Sequence, residues 1–377
     1  MKVLVLDTIH GGAVLAEALL RHGDDVDAVD VYRGSAMPVS EAKQRGYDLI
    51  AAPVHLDPAY PLLGLPVQKI THHQMVRQIF PSCRARIIEI TGARGKTSVA
   101  YAVCSILPGK TILHTSTGTW VYPEKRLLFR KSITPASLLF AAAAAEKENA
   151  DWIVAEESLG ICGVGELAIL TADRDYPIAA GKKSALAAKL SSISACRTVL
   201  CPSSCVQPGM HAPEELVRVE GNRFSTAKNG SFVSELADLP VYRNALMTAA
   251  AAGVLLDLDI SSLADFPGVP GRMCYRETGG VPVLDNANSG TDPDNIAEAF
   301  AYLKNRTGKE IILVTGEGDH AVCEGLQEEK IASLVNELDP LEVIRAAGES
   351  LEELEKRAVS RAQKTGAAVL LCVKTWR

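Results

Sequence analysis

Apolar runs of four to six residues alternate with helical patterns along most of the chain, and the runs stop at glycine or polar turns. Val3 to Leu6 and Val26 to Val31 read as strands around an amphipathic helix from Ala13 to His22 that Gly23 ends. A polar helix and a third apolar strand, Asp48 to Pro53, follow. Residues 1 to 84 therefore form a small Rossmann-like α/β domain. It lacks the GxGxxG fingerprint, so no dinucleotide is expected there. The turn Thr8-Ile9-His10-Gly11-Gly12 either receives an anionic group of a substrate or only joins strand to helix.

Ile87 to Ile90 is again a strand, and Val99 to Val103 continues as a helix. Strands Trp152 to Ala155 and Ile169 to Thr171, a helix over Ser184 to Leu190, a weaker β-rich stretch from Val199 to Phe224 and an alanine-rich helix from Asn244 to Leu256 complete a second unit, 85 to 266. This alternation predicts a largely parallel sheet with helices on both faces. Asp265-Phe266-Pro267-Gly268-Val269-Pro270-Gly271 reads as a linker. Beyond it, 267 to 377, strands at Val281 to Asp285, Ile311 to Thr315 and Ala367 to Val373 give another α/β domain; the second of these strands opens into Gly316 to His320.

The net charge of −6 carries no Lys/Arg run, which argues against a nucleic-acid partner. No segment reaches membrane-spanning length, and no leader precedes the first strand, so the expected location is cytoplasmic. Nine cysteines without a CxxC pair fit free thiols. Cys201 and Cys205 read as structural, and His72-His73 as surface or core-edge histidines.

The chemistry concentrates in Thr91-Gly92-Ala93-Arg94-Gly95-Lys96-Thr97-Ser98, between a strand and a helix. Gly92 and Gly95 let backbone N–H groups turn inward, the helix start adds its positive end, Lys96 neutralises phosphate, and the Thr97 hydroxyl sits where such loops ligate magnesium. Ile90 occupies the position of the first glycine of the strict Walker pattern, so this is a shorter GxxGKT loop. Glu156 and Glu157 end a parallel strand, where a carboxylate can complete the metal site begun by Thr97. Thr115 to Thr119 and Ser132 to Pro135 read as hydroxyl-rich loops.

Together these motifs, in this order, resemble the Mur ligase family of ATP-dependent enzymes. The GxxGKT loop, Ile133-Thr134-Pro135, Glu156-Glu157-Ser158, Asn244-Ala245-Leu246, Gly268-Val269-Pro270-Gly271-Arg272-Met273 and Asp285-Asn286-Ala287-Asn288-Ser289 carry the resemblance. It implies a three-domain fold in which a central P-loop ATPase domain is flanked by two smaller Rossmann-like domains. It also implies ATP and Mg2+ as cofactors and activation of a carboxylate as an acyl phosphate. Lys96, Glu156 and Lys189 would be catalytic, Thr97 and Glu156 would bind the metal with Glu157 as fallback, and Asn244, Arg272 and Asp285 would join the loop in nucleotide binding. Lys189 matches a lysine that is carbamylated in many family members. Two departures stand out: Asp173 to Tyr176 replace a metal-binding histidine, and Asn288 replaces the histidine of the C-terminal loop. The HGG turn, TGARGKTS, AEESLG and the Ile169 to Tyr176 segment are similar to the branch of methanogenic archaea that completes coenzyme F-430. That branch implies a nickel-containing seco-tetrapyrrole acid as substrate, with a propionate closed onto a macrocycle carbon. An amide ligase of the same family, and a nucleotide-gated binding protein or metallochaperone, remain as alternatives.

Overall fold

The computed structural model describes residues 1–319 and 325–376. His320, at the end of the Ile311 segment, and Cys323 lie outside the described residues. The chain packs into two compact units, Met1–Phe266 and Pro267–Arg377.

The first unit opens with β1 (Lys2–Leu6), α1 (Ala13–His22), β2 (Asp25–Val29), a single turn α2 (Val39–Ala42), β3 (Leu49–Ala52), β4 (Gln68–Thr71) and α3 (His72–Ile79). The four strands form an all-parallel sheet in the order β2-β1-β3-β4. Alternation along β1 sends Leu4 and Leu6 to one face, against Ile50 and Leu62, and Val3 and Val5 to the other. That second face shares its core with Leu15 and Leu19 of α1, Met75 and Val76 of α3, and Ile87, Ile112 and Ile153 of the next sheet. One continuous core of this kind binds the two sheets into one unit.

The larger sheet is built from β5 (Arg86–Thr91), α4 (Lys96–Cys104), β6 (Thr111–Thr115), β7 (Gly118–Tyr122), β8 (Arg126–Phe129), α5 (Ser137–Glu148), β9 (Trp152–Glu156), β10 (Leu167–Leu170), the short hairpin β11 (Pro177–Ile178) with β12 (Lys183–Ser184), α6 (Ala185–Ile193) and β13 (Thr198–Leu200). Its order is β13-β10-β5-β9-β6-β7-β8, parallel as far as β6 and antiparallel beyond. The segment Thr115 to Thr119, expected as a loop, is instead a tight β6–β7 hairpin in which Thr115 pairs with Gly118. After α7 (Pro213–Leu216), the weak β-rich stretch resolves into a separate antiparallel sheet, β14 (Arg218–Glu220), β15 (Arg223–Ser225) and β16 (Ser231–Val233), followed by α8 (Pro240–Leu255). Ala249 to Ala252 of α8 are fully buried; their small side chains let the helix pack closely.

His72 and His73, expected as surface or core-edge histidines, are buried. They open α3 inside the core shared by the two sheets, where the Thr71–Gln74 capping box fixes the helix start. His73 Nε2 donates to the Ser158 carbonyl at 3.0 Å. Burial lowers both imidazoles to about 4, so both are neutral at physiological pH.

The second unit contains β17 (Cys274–Thr278), β18 (Val281–Asp285), α9 (Pro293–Thr307), β19 (Ile311–Glu317), α10 (Glu328–Leu338), β20 (Glu342–Ala347), α11 (Leu351–Thr365) and β21 (Ala368–Lys374). Its sheet order is β17-β18-β21-β19-β20, with only β17 antiparallel. No helix among the described residues is long and apolar enough to cross a membrane.

Candidate active site

The register of the larger sheet explains why residues far apart in sequence meet. Ile90 of β5 pairs with Glu156 of β9, and Leu170 of β10 pairs with Thr91. The loop after β5 therefore emerges between a carboxylate on one side and Thr171 on the other, at the carboxyl ends of parallel strands. Gly92 adopts φ +151°, and a Cβ there would stand 2.1 Å from Thr171 Oγ1. Gly95, at φ +80°, turns the chain into α4 without a side-chain cap. The first N–H groups of α4 therefore lie at the mouth of the loop, as anion binding requires. Thr171 Oγ1 donates to the Arg94 carbonyl and ties the loop to β10. Ala93 and Arg94 are half-buried, and Ser98 is buried in the first turn of α4.

Lys96 folds back over the loop, donating to the Gly92 carbonyl at 3.1 Å, and its Nζ stands 3.8 Å from Glu156 Oε1. Thr97 Oγ1 donates to Glu156 Oε2 at 2.9 Å and lies 3.2 Å from Ser116 Oγ. The Ser116 amide donates to the same carboxylate oxygen at 3.1 Å. Ser116 and Thr171 play parts that composition did not reveal; their position directly after parallel strands was the available signal. A hydroxyl, a carboxylate and an ammonium converging on a glycine-lined cradle form a donor set suited to a nucleotide phosphate and a hard divalent cation.

Glu157 is not brought to this group. Its carboxyl turns into the interior, accepting from the Cys162 amide at 3.1 Å, beside Glu89, which accepts from Gly163 N at 2.8 Å and Gly165 N at 2.6 Å. Burial and then Glu89 push Glu157 well above the usual carboxylate range. Glu89, Glu157 and Cys162 come within 4.8 Å of one another as a buried hydrogen-bonded cluster that holds the loop after β9.

Lys189 is buried on α6, its Nζ 3.3 Å from Tyr176 OH and 4.5 Å from the centre of that ring. Burial, and next the charge of Lys96, lower it to about 8. Of the residues replacing the family histidine, Asp175 accepts from the Leu186 amide at 2.9 Å and Asp173 accepts from Ser204 Oγ at 2.7 Å, so both brace the chain. Asn244 is exposed on the first turns of α8. Cys201 and Cys205 are free and buried and join no metal-binding cluster among the described residues.

In the second unit, Asp285 is buried at the end of β18 and accepts from Arg276 Nη1 at 3.3 Å; Arg276 also binds Glu355 at 2.7 Å. Arg276 was not singled out from sequence. Asn288 is buried where the resemblance predicts histidine. It donates to the Gly271 and Asn286 carbonyls at 2.8 and 2.9 Å and accepts from Arg272 Nη1. An amide with both donors and an acceptor suits this bracing task better than an imidazole does.

Residues 275–375 match the family model described as "Coenzyme F430 synthetase CfbE, C-terminal domain". The chain is 32% identical to a coenzyme F(430) synthetase of Methanosarcina acetivorans over 86% of this chain and 85% of that relative. It belongs to the coenzyme F430 synthetase family. The fold is shared with a folylpolyglutamate synthase/dihydrofolate synthase of Yersinia pestis, at TM-score 0.57 and 13% identity over 81% of this chain and 92% of that one. A MurF ligase of Thermotoga maritima in complex with ADP aligns at TM-score 0.50 and 13% identity, over 89% and 87% of the two chains. The chain is an ATP-dependent ligase with the Mur ligase-like α/β architecture, and it uses ATP.

Proposed function

We propose that this ligase phosphorylates a propionate carboxylate of a nickel seco-tetrapyrrole acid and closes the resulting acyl phosphate onto a macrocycle carbon, releasing ADP and phosphate. The observation that carries this reading is the match to a coenzyme F(430) synthetase over most of both chains. The convergence of Lys96, Thr97 and Glu156 on the loop supports the phosphoryl-transfer half. In this reading Gly92 to Ser98 wrap the phosphates with their N–H groups, and Lys96 leaves the Gly92 carbonyl to follow the charge as it moves between oxygens. The Thr97 hydroxyl and the Glu156 carboxylate hold magnesium, which supplies charge neutralisation at the transferred group. Asn244, Arg272 and Asp285 serve as further nucleotide ligands, a role supported by their motif context. Lys189, lowered to about 8, offers the neutral amine that carbamylation needs, and a carbamate there would add an oxygen ligand.

Anaerobic incubation with MgATP and the nickel seco-acid, following the visible spectrum and released phosphate together, tests the reading. A spectral change with equivalent phosphate, absent without the macrocycle, is the expected result. Phosphate released only on adding an amine acceptor would transfer the function to amide synthesis, the alternative that the shared fold with folylpolyglutamate synthase supports.

A further inference from the structure

The four parallel strands of the N-terminal sheet end together, and the segments that follow them carry a cluster outside the phosphate site. Asp7 and His10 follow β1, Tyr32 follows β2, His55 follows β3, and His72 opens the helix after β4. Asp7 is fully buried and left-handed at φ +70°. Its Oδ2 accepts from His10 Nδ1 at 2.8 Å and from His55 Nε2 at 3.2 Å, while Oδ1 accepts from the Ile9 and His10 amides at 3.1 and 3.2 Å. Burial opposes charge on Asp7, but the bonds from His55 and His10 win and hold it below the usual carboxylate range. His10 stacks edge-on to Tyr32 and to His55, with ring centres 5.2 and 5.0 Å apart, and its side chain stays 36% exposed. A carboxylate on Nδ1–H fixes the tautomer that leaves the lone pair of Nε2 at the open end of the ring.

The glycines of the turn set where this imidazole stands. A Cβ on Gly12 would lie 2.0 Å from the Asp7 carbonyl, so the turn closes only with glycine. A Cβ on Gly11, at φ +96°, would lie 2.5 Å from Thr134 Oγ1. His10 therefore borders the Ser132–Pro135 loop, whose Ile133 carbonyl accepts from the Ser158 amide at 2.9 Å, two residues beyond Glu156. The other histidines of the larger sheet do not compete for a catalytic part. His114 is buried, lowered by burial to about 4 and bonded to Thr119 Oγ1 at 2.8 Å, and His211 runs beside β13, its backbone bonded to Val199 and Cys201.

Resting on the ring-closing reading above, we propose that His10, positioned by Asp7, is the general base of the carbon–carbon step. The macrocycle carbon attacks the acyl phosphate carbonyl, the new C–C bond forms, the C–O bond to phosphate breaks, and the proton of that carbon passes to His10 Nε2 and then to solvent. Phosphate leaves with the electron pair of the broken bond, so the step needs no further reactant.

The test uses the full chain with MgATP and the nickel seco-acid, and separates activation from closure. Added hydroxylamine traps the acyl phosphate as a hydroxamate, and the visible spectrum reports the ring. His10→Gln is expected to form hydroxamate but to slow ring closure by about 10²- to 10⁴-fold, the usual contribution of a general base. In His10→Ala, added imidazole is expected to restore closure, which keeps the proposal testable if the glutamine variant folds poorly. The groups facing His10 are Asp7, His55 and Tyr32, with neutral His72 behind. Asp7→Asn is expected to slow closure while hydroxamate still forms, because the ring of His10 loses the carboxylate that fixes its tautomer and direction. Closure by His10→Gln at the wild-type rate, with or without an altered spectrum of the bound nickel macrocycle, would overturn the proposal. So would loss of hydroxamate together with ring product in a folded variant. If the wild-type protein itself yields neither hydroxamate nor a spectral change, the ring-closing reading fails instead.

Discussion

Glu156 and Glu157 are neighbours with opposite fates, so replacing each by glutamine is a sharp test of the site. Glu156 stands 3.8 Å from Lys96 Nζ, a gross attraction of about 4 kcal/mol at an effective dielectric near 20, most of it offset by the desolvation of both groups. Glutamine keeps an acceptor for Thr97 and Ser116, so Glu156→Gln is expected to fold. As the loss of a direct anionic ligand, it should raise the magnesium concentration needed for turnover by at least about 100-fold, the upper end of what outer-sphere changes cost. Glu157 behaves otherwise. Its folded pKa lies above its unfolded value, so its contribution is fully present below the unfolded pKa, near 4.5, and is lost as pH rises from there through the folded pKa. At neutral pH the wild-type protein therefore loses about 1.4 kcal/mol for each pH unit between the unfolded pKa and the folded pKa or the ambient pH, whichever is lower, and a neutral amide of the same shape avoids that loss. Glu157→Gln should melt at or above the wild-type temperature at pH 7.5, by about 2–4 °C for each kcal/mol regained, with unchanged magnesium dependence. Magnesium titrations of phosphate release and thermal melts at pH 5 and 7.5 read both effects. Magnesium dependence lost in the Glu157 variant and kept in the Glu156 variant would refute the assignment. A Glu157→Gln protein melting several degrees lower at pH 7.5 would refute the raised pKa of the buried carboxyl.

Lys96→Ala should abolish substrate-dependent phosphate release while leaving the circular dichroism spectrum unchanged; retained turnover would remove the loop from the mechanism. Gly92→Ala should lower ATP affinity by at least about tenfold in a nucleotide-binding titration, because its Cβ would displace Thr171 and open the loop. Lys189→Ala should reduce turnover, with partial recovery on adding a short carboxylic acid; full activity without rescue would dispose of the carbamate role.

Periodicity made the strands, their order in the chain and the GxxGKT context legible, because each rests on local spacing. The choice between Glu156 and Glu157 was less legible. It depends on burial and on Glu89, an acid in the middle of the apolar run Ile87 to Ile90 that takes the Gly163 and Gly165 amides; together they raise the pKa of its neighbour Glu157. The depth of His72 and His73 was illegible for a similar reason: their burial comes from a core shared by two sheets, and no pattern within eight residues of helix shows that. Ser116 and Thr171 entered through strand register, again a tertiary property.

The two histidines missing from the family pattern bear on how this member divides its work. Asn288 braces its loop through the Gly271 and Asn286 carbonyls, Asp175 holds the start of α6 and Asp173 holds Ser204 beyond β13, so neither replacement leaves an imidazole that could accept a proton. Within the first unit, His10 and His55 are partly exposed imidazoles held by the fully buried carboxylate of Asp7. An amine acceptor loses its proton readily once it has attacked, whereas a carbon must give up a C–H proton, for which a base fixed in one tautomer is the larger help. Moving the imidazole from the metal region to the N-terminal sheet is consistent with a change of nucleophile from nitrogen to carbon on an unchanged phosphoryl-transfer loop. A His10→Gln enzyme that still forms hydroxamate would show those two halves separating as the geometry requires.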